Sequence, residues 1–163
     1  MVVYEKFGWI CYKDAQTYTY DAEKAGKWMY FYDDKDECFV AKICEVAIRN
    51  KIVSSAKHRK KQNGVARSNH RNKQGGAVAR FNHRKKQDSV ACFYLNYDDI
   101  ESHRKVISFF IENNLIPRGK TGRFDDISFK LDNRTRAGEY GKDFTPVLTL
   151  SRFIDLDSGE WLL

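Results

Sequence analysis

The chain has 163 residues, 42% of them hydrophobic and 14% aromatic, enough to bury one core without disulfide or metal staples. Its net charge of +7 is unevenly placed: residues 55–88 hold eleven Lys or Arg against one Asp, which leaves the rest of the chain at −3. The first fifteen residues carry four charges and lack the apolar stretch of a signal peptide, and no run reaches the roughly 18 apolar residues that span a bilayer, so one cytoplasmic domain over residues 1–163 with no membrane association is expected.

Residues 27–32 (KWMYFY) predict a strand, followed by an Asp-rich start and a helix over about 35–50 whose apolar stripe is Phe39, Ile43, Val46 and Ala47. Three tandem segments come next: AKHRKKQNGV, ARSNHRNKQGGAV and ARFNHRKKQDSV, an insertion spanning about 56–90. Each carries His-Arg, then Lys-Gln, then a turn. Asn63-Gly64 is a strong hairpin signal, Gly75-Gly76 also permits positive φ, and Asp88-Ser89 is a weaker polar pair. These turns predict a β-meander, since the central Asn and Gly residues oppose one continuous basic helix.

Residues 90–96 (VACFYLN) predict a further strand. A second helix begins at Asp98 or Asp99, carries Ile100, Val106, Ile107, Phe110 and Ile111, and stops near Asn113-Asn114, with Pro117 beyond it. Two more strands are expected over 126–132 (DISFKLD) and 146–153 (PVLTLSRF). The fold class that follows is α+β: a mainly antiparallel sheet with two helices on one face, extended by the meander of basic repeats.

Several motifs lack the context their chemistry requires. Gly119-Lys120-Thr121 resembles the end of a P-loop but follows a helix and lacks the earlier glycine. His58, His70 and His83 recur with the repeat, but no acidic residue or cysteine keeps the same period, so no metal site is expected. The four cysteines, Cys11, Cys38, Cys44 and Cys92, form no CxxC pair and are expected to be reduced and mostly buried.

Two regions carry chemistry. The ribbon of Arg59, Lys60, Lys61, Arg67, Arg71, Lys73, Arg80, Arg84, Lys85 and Lys86 can neutralise phosphates of a nucleic acid, with Phe81 as a stacking face. The same cations also suit a solvated hairpin protected against edge pairing. In the segment from Ser128 to Tyr140, a strand would place Ser128, Lys130 and Asp132 on one face and Ile127, Phe129 and Leu131 on the other. A lysine there, close to Arg134 and Arg136, would be pushed towards its neutral form and towards use as a base.

Gly26-Lys27-Trp28 entering a strand, Ala56-Lys57 after the first helix, the strand Val90-Ala91-Cys92-Phe93-Tyr94, and Phe129-Lys130-Leu131-Asp132 followed by Thr135, Gly138 and Tyr140 together resemble the phosphothreonine lyase domains related to the basophilic leukaemia expressed protein. That family's fold resembles the mRNA-cap-binding translation initiation factor. The resemblance runs over about 26–153 and excludes the extra repeats. It implies β-elimination of phosphate from a phosphorylated protein or peptide, with no metal or nicotinamide cofactor. By position it implies Lys130 as the base, Lys57 as the group that stabilises the enolate, and His58 as the acid. Arg134, Arg136 and Tyr140 are then expected to hold the phosphate.

Overall fold

The computed structural model describes residues 1–16, 20–60, 89–133 and 146–163. Its seven strands are β1 (Val2–Lys6), β2 (Trp9–Lys13), β3 (Ala25–Tyr32), β4 (Ser55–Arg59), β5 (Ser89–Asn96), β6 (Ser128–Leu131) and β7 (Leu148–Thr149), with helices α1 (Glu37–Arg49) and α2 (Ile100–Glu112). They form one sheet in the order β1-β2-β4-β5-β3-β6-β7, and every neighbouring pair is antiparallel.

This order explains why the helices share a face. β3 and β4 are both antiparallel to β5 and hence parallel to one another, joined by α1 across β5. Likewise β5 and β6 are parallel, joined by α2 across β3. The second crossover reverses both strand direction and sideways step, so the right-handed rule sends both helices to the same side. Neither α1 nor α2 packs on the opposite side of the sheet, called the open face below.

The core lies between that sheet face and the helices. Its centre is Trp28, which meets Phe129 and Phe153 edge-on, and Phe93, which meets Phe110 in the same way. Trp28 and Phe93 are cross-strand partners, and Ala56 lies opposite Phe93 on the far side. Gly26 belongs to this face for a steric reason: a Cβ there would come within 2.5 Å of the Phe129 ring and 2.7 Å of the Lys130 carbonyl.

The helix boundaries follow local chemistry. Asp99 caps α2, its Oδ1 accepting from the Ser102 amide at 3.0 Å. Both helices end against a left-handed residue, Lys51 after α1 and Asn114 after α2. The buried side of α1 is Val40, Ile43, Cys44, Ala47 and Ile48. It is rotated from the expected stripe, leaving Phe39 46% exposed. In α2 the buried side includes His103 and Phe109, while Ile100 is exposed.

Other expectations need adjustment. β1 and β2 were not foreseen; Phe7 and Gly8, both at positive φ, join them in a tight hairpin turn. A left-handed conformation costs a bulky L-residue about 1–2 kcal/mol, and Phe7 occupies one at φ 51°. The final strand is short, because after Leu148–Thr149 the chain turns into a 3-10 helix at Leu150–Arg152. Two cysteines, Cys44 and Cys92, are buried; Cys11 is half-buried and Cys38 is exposed. The repeat segment 61–88, where the meander was expected, lies outside the described residues. β4 and β5 on either side of it pair directly, so no repeat strand separates them within the described sheet. No helix among the described residues is long and apolar enough to cross a membrane.

Candidate phosphate site on the open sheet face

Strand alternation sorts the candidate residues by face. Ala56 and His58 of β4 turn towards the helices and are fully buried, whereas Ser55, Lys57 and Arg59 turn to the open face. The register then extends two rows across that face. One row runs Lys13, Ser55, Tyr94, Lys27 and Lys130; the next runs Tyr4, Cys11, Lys57, Cys92 and Met29.

Lys57 and Lys27 are thereby brought to Tyr94, with Lys130 one strand beyond Lys27. The Lys57 ammonium lies 5.3 Å from the Tyr94 ring centre and that of Lys27 lies 5.6 Å from it. Lys57 also sits 4.5 Å from the ring centre of Trp9. Cation–π attraction and aliphatic packing orient the Lys57 ammonium without neutralising it. Lys27 is largely buried and pairs with Asp132. Burial drives the Tyr94 hydroxyl well above the usual range for tyrosine, so the ring stays neutral between its two cations.

Lys130 is the cross-strand partner of Lys27. Its ammonium is shifted below the ordinary lysine value, first by burial and second by the Lys27 charge. The direction is that expected for a base, and among the described residues the cation that contributes is Lys27. Arg134, Arg136 and Tyr140 lie outside the described residues.

Beside the lysines, the open face holds a cleft of about 910 Å³ lined by Tyr4, Lys6, Trp9, Lys13, Lys57 and Tyr94 among others. Arg59 lies over Trp9, its guanidinium 4.9 Å from the ring centre. Lys60 points elsewhere and pairs with Glu5 at 2.7 Å. The other ribbon cations, Lys61, Arg67, Arg71, Lys73, Arg80, Arg84, Lys85 and Lys86, lie outside the described residues.

His58 does not join the lysines. It lies on the other side of the sheet, where Nδ1 donates to the Arg59 carbonyl at 2.9 Å and Nε2 accepts from the Tyr12 hydroxyl at 3.2 Å. Burial holds its pKa below the ordinary histidine value, so it remains neutral. Adjacent residues in one strand point to opposite faces, which separates His58 from Lys57 and removes it as the proton donor to a group bound there.

Sequence reasoning did not name Lys27 as a site residue, although Gly26-Lys27-Trp28 was conspicuous. Its position became legible only with the register that sets it between Tyr94 and Lys130. Compared with known proteins, the chain matches no family model, no curated protein and no solved structure.

Proposed function

We propose that the open face of the sheet recognises a phosphate ester and that its chemistry is β-elimination from a phosphothreonine residue of a protein or peptide. The observation that carries this reading is the row Tyr94, Lys27 and Lys130, flanked by Lys57, on the face opposite α1 and α2. Lys57 supplies positive charge beside the neutral Tyr94 ring, suited to phosphate oxygens, and Lys27, paired with Asp132, lies across that ring and next to Lys130.

The step assigned to Lys130 balances as follows. Its neutral amine takes the α-proton, the C–H electron pair forms the Cα=Cβ double bond, and the Cβ–O bond breaks with its electrons leaving on inorganic phosphate. Lys57 stabilises the enolate that develops on the substrate carbonyl. His58 has no part in this scheme, and the phosphate leaves as an anion held by cations.

Incubation of a phosphothreonine peptide with the intact protein should release inorganic phosphate and leave a dehydrated residue detectable by mass. Lys130→Ala should slow this by at least about 100-fold while leaving the fold intact. The wild-type rate should rise with pH as Lys130 loses its proton. Lys27→Met should move that rise to higher pH, because it removes one of the two causes that depress the Lys130 value. Unchanged turnover in Lys130→Ala, or hydrolysis to threonine instead of dehydration, would sink the assignment.

A further inference from the structure

At the tip of the β1–β2 hairpin, Phe7 is 86% exposed and held at φ 51°, a conformation unfavourable to any bulky L-residue. An aromatic side chain that gains no burial and strains its own backbone contributes nothing to folding at that position. Such outliers are retained where something other than stability uses them.

The surroundings indicate what that use is. Tyr4, Phe7 and Trp9 each have a cation close to the ring. Lys6 lies 5.5 Å from the Phe7 ring centre and Lys13 lies 5.6 Å from that of Tyr4, while Trp9 carries both Lys57 and Arg59. All three aromatic residues line the cleft. Of the acidic residues nearby, Asp14 and Asp132 also line it, but Asp132 pairs with Lys27, and Glu5 pairs with Lys60. The Lys60 amide donates to the Gly8 carbonyl at 3.0 Å, which ties the hairpin turn to the entrance of the basic repeats.

We infer that the β1–β2 hairpin and the end of β4 form a binding surface for single-stranded nucleic acid. Tyr4 and Phe7 stack on bases, and Lys6, Lys13, Lys57 and Arg59 neutralise the backbone. Interleaved aromatic and basic side chains on a sheet suit this ligand because every base has a π-face and every linkage a negative charge. A duplex hides its bases and offers Phe7 nothing to stack on. The surface differs from the proposed elimination site in needing neither Lys130 nor a phosphothreonine.

The experiment measures binding of single-stranded oligo(U), and of heparin as a polyanion without bases, to the intact protein. Phe7→Asn places at the turn the residue best suited to positive φ before Gly8, and Tyr4→Thr keeps a strand-forming residue at an exposed position, so both variants should fold. Each should weaken oligo(U) binding by about tenfold and leave heparin binding unchanged. Phe7→Asn should also raise the melting temperature by about 2–4 °C as the strain is relieved. Oligo(U) affinity should fall with salt at a logarithmic slope of roughly −3, as expected for four neutralised phosphates. Wild-type oligo(U) affinity in both variants would overturn the inference, as would an equal loss of oligo(U) and heparin binding, which would mean charge alone.

Discussion

The two faces of the sheet treat the same chemical groups in opposite ways. On the helix-covered face the two buried histidines of the described residues are saturated: His58 by Tyr12 and the Arg59 carbonyl, and His103 by Trp28 Nε1 at 2.9 Å and the Tyr97 carbonyl at 3.0 Å. On the open face the Lys57 ammonium lies against the Trp9 and Tyr94 rings, which orient it without consuming its charge, while Lys27 is paired with Asp132. Saturated polar groups in a low-dielectric interior specify structure, whereas oriented cations beside a cleft remain available to a ligand. On the proposed reading, structural and ligand-facing roles separate by face, even between the neighbours Lys57 and His58 in one strand.

The sharpest way to break that separation is to damage the covered face. Trp28 is 1% exposed and binds Phe129, Phe153 and His103 into one cluster. Trp28→Ala should cost about 3–5 kcal/mol, by cavity formation and by leaving the His103 acceptor without its donor. Denaturant unfolding measures this loss; a cost below about 1 kcal/mol would mean that the cluster does not organise the core.

Acid should act through the same cluster. Burial lowers the His103 pKa from 6.5 to about 4, and its ring donates from Nε2 and accepts at Nδ1 as a neutral imidazole. Above pH 6.5 neither folded nor unfolded His103 binds a proton, so its contribution is fully present. Between 6.5 and about 4 only the unfolded chain binds one, and stability falls as pH falls, by about 3 kcal/mol across the window. His58, shifted in the same direction, adds to the slope. His103→Gln should flatten the pH dependence of unfolding over this range, and an unchanged slope would move its origin elsewhere.

The same division explains what could be read from sequence. The helices, β3, β5 and β6, and the alternation of Phe129 and Leu131 against Lys130, were legible because periodicity reports which face is buried. β1 and β2 were not: Phe7-Gly8 is not a usual turn pair, and the exposed edge strand β1 shows no inward-facing alternation. For the site, Lys130 and Lys57 could be picked out by residue type, but Lys27 required the register, a property of paired strands. His58 fails for the converse reason: the resemblance implies it as the acid, while strand alternation turns it to the face opposite Lys57.

The smallest expected effect on stability tests the open face. Lys57→Met keeps much of the aliphatic stem and removes the ammonium near Trp9 and Tyr94. Each such contact is worth about 0.5–1 kcal/mol at an accessible site, and the methionine recovers part of it by packing on the same rings, so the change in unfolding free energy should stay within about 1 kcal/mol. Removing a charged partner from a bound phosphate costs about 1.5–3 kcal/mol, or roughly 10- to 100-fold in affinity for a phosphothreonine peptide. The ratio of these two effects decides the comparison. If Lys57→Met destabilises the fold as much as it weakens peptide binding, the cation serves the sheet; if binding alone suffers, β4 presents a ligand-binding residue beside a buried structural histidine.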